Sequence, residues 1–109
     1  MSTLENILRD MTNANNEAKI TAVAVTLTPT QFTSALTLGY SRKAIWAYNN
    51  SHVNSGECYY GYSASMSDKI GSRPIPVGSV VEIPVTTNIP IYFRCDSGEL
   101  GDIRVEEIA

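Results

Sequence analysis

The sequence predicts an all-β domain: a six- to seven-stranded antiparallel β-sandwich or jelly-roll-like barrel with a short N-terminal amphipathic helix. Three observations predict it. From Lys19 onward, apolar residues recur with a period of two through most of the chain. Clusters of Gly, Pro, Asn, Asp and Ser interrupt that pattern at regular spacing, as in sandwiches and barrels. Ahead of it, Leu4, Ile7, Leu8 and Met11 fall on one face of a helix. At 109 residues the chain has the size of one domain and can bury a core without staples. The organisation expected is a helical arm and linker over 1–17, followed by a β-sandwich domain over 18–109.

Ser2 followed three residues later by Glu5 has the form of a capping box, which starts the helix near Thr3. The polar run Thr12–Glu17 ends it, because Asn and Thr side chains compete for their own backbone. A helix this short is marginal in water, so its apolar face needs a surface to rest on, either the domain or a partner.

The first strand carries Thr21, Val23, Val25 and Leu27 on one face and is stopped by Pro29. A second is expected around Phe32 to Leu38. The third, in Arg42–Asn49, sets Ala44, Trp46 and Tyr48 opposite Ile45 and Ala47. After the polar loop of residues 49–56 comes Glu57–Ser63, in which Gly61 marks a bulge or a close backbone approach. Residues 64–72 read as a surface loop and Arg73–Gly78 as a bend punctuated by Pro74 and Pro76. Val80–Val85 is a strand demoted toward a sheet edge by Pro84. In Ile89–Cys95, Ile89, Ile91, Phe93 and Cys95 face inward, and residues 96–101 are read as a hairpin turn into the last strand.

Composition excludes much chemistry. One His and two Cys cannot build a Cys₄ or Cys₂His₂ zinc site. The eight Lys and Arg are scattered and the net charge is −3, so no phosphate-binding surface is expected and nucleic acid is not a predicted partner. No apolar run approaches the length of a membrane span, and Met1–Asn6 has no signal-peptide pattern, so synthesis in the cytoplasm is expected. In that reducing compartment Cys58 and Cys95 read first as small buried hydrophobes, with a bridge between them as the other reading.

The search for a catalytic site fails at each position. His52 is the only histidine; as a base it would have to serve Ser51 or Ser55, sequence neighbours that rarely present that geometry. Asp96, Ser97, Glu99 and Asp102 are oxygen ligands near a turn, but their spacing is not that of a calcium loop, and a hairpin turn with solvated acids is the favoured reading of the same residues. Glu106 and Glu107 are adjacent and point to opposite faces of a strand, which separates them as an acid/base pair. No phosphate loop follows Gly56 and Gly61. The expectation is no catalytic residue, no metal and no cofactor.

The aromatic residues Trp46, Tyr48, Tyr59, Tyr60 and Tyr62 cluster in two consecutive strands. They serve either as core and cross-strand pairs or as a platform that stacks on sugar rings or a partner's side chains. Tyr59 and Tyr60 are sequential, so one of them must leave the core face.

From about Val23 onward the chain resembles a family of small β domains found in virion proteins of tailed bacteriophages. The residues that carry the resemblance are Arg42-Lys-Ala-Ile-Trp-Ala-Tyr-Asn49, Tyr60-Gly61-Tyr62, Ile75-Pro-Val-Gly-Ser79, Ile91-Tyr92, the Asp96-Ser-Gly98 turn and Asp102-Ile-Arg-Val-Glu-Glu-Ile-Ala109. The resemblance is one of order and texture over roughly three-quarters of the chain. It implies a head decoration protein, head-fibre base or other accessory component, placed on the phage head surface. It also implies the major capsid protein or other virion proteins as partners and a symmetric homo-oligomer such as a trimer. The contact residues expected are Leu4, Ile7, Leu8 and Met11, with Trp46, Tyr59 and Tyr60. The alternative is a glycan- or receptor-binding β module of a phage tail or fibre, with Trp46, Tyr48 and Tyr59 as its platform.

Overall fold

A computed structural model of the chain describes residues 17–37, 42, 44–52, 57–67, 69–85, 88–96 and 101–109. The expected N-terminal helix lies outside the described residues. Eight strands run through them: β1 (Ala18–Val25), β2 (Thr30–Gln31), β3 (Ala44–Asn49), β4 (Cys58–Gly61), β5 (Ser72–Ile75), β6 (Val80–Glu82), β7 (Tyr92–Cys95) and β8 (Gly101–Ile108). They form two antiparallel sheets, here sheet A in the order β1-β8-β3-β6 and sheet B in the order β2-β7-β4-β5. The pairs β1/β8, β2/β7, β3/β6 and β4/β5 alternate between the sheets, as when a long hairpin is rolled on itself. This is the strand order of a jelly roll.

The inward faces share one core. Val25, Ile45, Ile103 and Val105 from sheet A meet Cys58, Ile75, Phe93 and Cys95 from sheet B, all fully buried. Phe32 closes on Phe93 edge to face, with ring centroids 6.3 Å apart. Alternation along β8 shows why the fold is two-sided: Ile103, Val105 and Glu107 are buried, while Arg104 and Glu106 stand in water.

Four expectations are corrected. The strand count rises to eight because Ser72–Ile75, read as a bend, is the edge strand β5. Asp96 N–H donates to Glu57 O, so the odd residues of β4 bond to β7 and the even ones to β5, which turns the nitrogen of Pro74 toward the open edge. A proline there costs no ladder bond. Second, residues 96–101 do not close a hairpin: β7 belongs to sheet B and β8 to sheet A, so the chain crosses between layers. Third, Ile89 precedes β7 and is exposed.

Fourth, the strand expected over Phe32–Leu38 is only Thr30–Gln31. Residues 32–37 run as irregular chain because two carboxylates take the place of a neighbouring strand. Glu107 accepts from Ser34 Oγ at 2.7 Å and from the Ala35 N–H at 3.0 Å. Glu17 accepts from the Thr37 N–H and Thr37 Oγ1, each at 2.8 Å. Glu17 also exchanges backbone bonds with Ala109, so this residue of the expected linker is bound into the β domain.

Candidate functional site

The register of sheet A builds its outer face from two rows. Ile20, Glu106, Trp46 and Glu82 lie side by side across β1, β8, β3 and β6. One step along, Ala22, Arg104, Tyr48 and Val80 form the next row. Between them lies a groove of about 190 Å³ lined by Ile20, Trp46, Tyr48, Val80, Arg104 and Glu106. Three of its apolar members are well exposed, Ile20 at 70%, Val80 at 60% and Tyr48 at 39%, and Trp46 is half-buried. Exposed apolar side chains gathered around one groove make this face the candidate contact surface, with Arg104 and Glu106 between them.

The polar rim is held in place from one side. Arg104 Nε donates to Asp102 Oδ1 and Nη2 to Asp102 Oδ2, both at 2.9 Å. Asn50 Nδ2 donates to the same Asp102 Oδ2 at 2.9 Å. These bonds, led by those from Arg104, hold the Asp102 carboxyl below its usual range, and the guanidinium is stabilised in return. The guanidinium thus stands oriented beside Tyr48, while Glu106 stands beside Trp46.

The structure separates the aromatic residues that the sequence groups together. Trp46 and Tyr48 are on sheet A, whereas Tyr59 and Tyr60 are on sheet B. Tyr60 faces the core and meets Tyr62 edge to face at 6.2 Å. Tyr59 is the one that leaves the core face, but it is 9% exposed and its hydroxyl donates to Glu57 Oε2 and Asp96 Oδ2, each at 3.4 Å. Burial and those two carboxylates push its pKa up to about 12. A second cavity, about 340 Å³, opens at the β4/β5 end between Tyr60, Tyr62 and Arg73. Leu4, Ile7, Leu8 and Met11 lie outside the described residues.

Of the groups weighed for chemistry, Ser55, Ser97 and Glu99 lie outside the described residues, and most of the others are engaged elsewhere. Ser51 Oγ accepts from the Asp102 N–H at 2.9 Å and lies 3.6 Å from Cys58 Sγ, buried in the connection between the sheets. His52 is exposed on the loop. Asp96 serves Tyr59 and Asp102 serves Arg104. Glu106 is exposed while Glu107 is buried, on opposite faces of β8. Both cysteines are buried and neither is in a disulfide, and burial raises the pKa of Cys58. Among the described residues no group of three His, Cys, Asp or Glu side chains is placed to hold a metal ion.

Ile20, Val80, Arg104 and Glu106 are the groove members that sequence reasoning missed. Each occupies the outward position of an alternating strand, which is the signal available. What joins them to Trp46 is long-range register, which alternation alone does not contain. No protein-family model matches the chain, and no curated protein matches it.

Proposed function

We propose that the chain is a non-enzymatic virion structural protein, a capsid decoration or accessory protein that binds and stabilises the phage head lattice. The observation that carries binding is the stripe of exposed Ile20, Tyr48 and Val80 with half-buried Trp46, set on β1, β3 and β6 with Arg104 and Glu106 of β8 between them. Water contact with that stripe is unfavourable and is relieved when a neighbouring subunit covers it. The virion setting rests on the resemblance of residues 23–109 to phage accessory domains. The jelly-roll strand order supports a coat or binding role, since viral capsid domains and lectins share it, although architecture alone does not choose between them. The partners are the major capsid protein or other virion proteins.

Trp46 is the only tryptophan, so its fluorescence reports on the groove directly. The test is co-sedimentation with phage capsid shells assembled without the protein, with Trp46 emission followed in parallel. Binding with a blue shift, weakened at least about tenfold by Tyr48→Asp, is the expected result. Shells that pellet without the protein would refute the lattice reading.

One observation favours a second reading, a glycan-binding module. Trp46 and Tyr48 are two residues apart on one face, with Glu106 and Arg104 beside them to bond sugar hydroxyls. A glycan array separates the two: Trp46→Ala must abolish any saccharide signal that this face produces.

A further inference from the structure

Among the described residues four strands stand at sheet edges, and they are built differently. β2 is two residues long and follows Pro29. β5 carries Arg73 and Pro74. β6 is three residues long, includes Glu82 and runs into Pro84. Short length, charge and proline are the ordinary devices that keep an edge from pairing with another chain. β1 has only one of them, the charge of Lys19, and is neither short nor interrupted by proline. It is eight residues long, AKITAVAV.

The direction of its free groups follows from the ladder. Glu17 and Ala109 exchange both backbone bonds, so the odd residues of β1 bond to β8. Ala18, Ile20, Ala22 and Ala24 therefore turn their N–H and C=O groups toward the open edge, where no described strand pairs with them. Thr21 and Val23, on the inward face, are only partly covered.

We infer that β1 pairs with β1 of a second copy, antiparallel about a two-fold axis at Thr21, joining the two A sheets into one. That register uses all four outward residues: Ala18 opposes the partner's Ala24, and Ile20 opposes the partner's Ala22. The large side chain lies against the small one. Lys19 opposes the partner's Val23, so the one charge never meets its own copy. Thr21 meets the partner's Thr21 on the axis, a favourable cross-strand pair. No like charges face each other across the joined edge. The row ending Glu82-Trp46-Glu106-Ile20 continues into the partner's row of Ala22, Arg104, Tyr48 and Val80, setting the acids of one copy in line with the guanidinium of the other. The interface is thus self-complementary, as a two-fold contact requires.

The inference does not depend on what the groove binds. The experiment is sedimentation velocity of the full chain from micromolar to submillimolar concentration, on wild type and Ala22→Pro. The proline removes an outward N–H and no β1–β8 bond, so its circular dichroism spectrum stays native while dimerisation weakens at least about tenfold. Ile20→Glu, at an exposed position, gives the same loss of dimer should the proline variant misfold. Thr21→Cys, oxidised with diamide, links two copies through the introduced thiol, because Cys58 and Cys95 are buried. A wild type that stays monomeric, a trimer, or a dimer indifferent to both Ala22→Pro and Ile20→Glu would overturn the inference. A dimer without capsid affinity would overturn only the lattice reading.

Discussion

Arg42 Nη1 lies 3.1 Å from Glu107 Oε2, and both side chains are almost wholly withdrawn from water. The pair sits where sheet A meets the irregular segment 32–37, and Arg42 Nη2 also reaches the Val85 carbonyl at 3.4 Å. Removing one member of a buried pair leaves the other charge desolvated without its counter-ion, at a cost of about 3–5 kcal/mol. Arg42→Met is therefore expected to lower the urea midpoint sharply. Adding Glu107→Met should recover only part of the loss, because Ser34 and the Ala35 N–H would then lack their acceptor. Full recovery in the double variant would show that the carboxylate does not organise that segment.

Cys58 and Cys95 are paired in register across β4 and β7, on the core face and fully buried. Cys95 directs its N–H away from β4, to the Thr26 carbonyl, so the two residues form the close, non-hydrogen-bonded kind of pair. A thiol reacts as its thiolate, and burial opposes that form at Cys58. Native protein at pH 8 is thus expected to leave both thiols unmodified by an aromatic disulfide reagent, with labelling no faster than unfolding. Immediate stoichiometric labelling would show that this part of the core opens readily.

How much of this was legible in the sequence differs by feature. The two faces of β3 and of β8 could be read from alternation, because a half-buried strand must alternate, but for β3 alternation left open which face is buried. The departure of one of Tyr59 and Tyr60 from the core could be read in the same way. The β7–β8 crossover could not, because a Ser-Gly turn closes a hairpin and opens a crossover equally well. β5 was hidden by Pro74, whose harmlessness depends on lying at an edge with its nitrogen turned outward. Trp46 was found as a surface candidate, yet its neighbours Ile20, Val80 and Arg104 come from three other strands that only the register brings together.

Stability is expected to fall on the alkaline side. The Cys58 thiol is raised above 9.0 by burial, and Tyr59 is raised from 10.0 to about 12 by burial and by Asp96 and Glu57. The unfolded chain releases these protons at lower pH than the native one, so the native state binds more protons in that interval and stability declines as pH rises. The contribution is intact below about pH 9 and is lost from there to about 12. Urea midpoints should drop through this range, and Tyr59→Phe should flatten the part above pH 10. An unchanged slope in that variant would mean that the two carboxylates do not hold the phenol protonated.

Gly61 ends β4 where the chain turns beneath the loop toward β5. A Cβ there would fall inside hard contact with the Gly71 carbonyl oxygen and 2.6 Å from Met66 Sδ. Met66 is buried but flexible and can move, whereas the carbonyl belongs to backbone and cannot move without shifting the β4/β5 pair. Gly61→Ala is therefore expected to cost about 1–3 kcal/mol, the range for overpacking a closed site. Adding Met66→Ala should not restore it, since the limiting contact is with Gly71. Gly101 provides the comparison: a Cβ there meets Cys58 Sγ at 2.9 Å, a side chain, so Gly101→Ala should cost less. Thermal denaturation of the three variants checks the order, and rescue of Gly61→Ala by Met66→Ala would assign the clash to the sulfur instead.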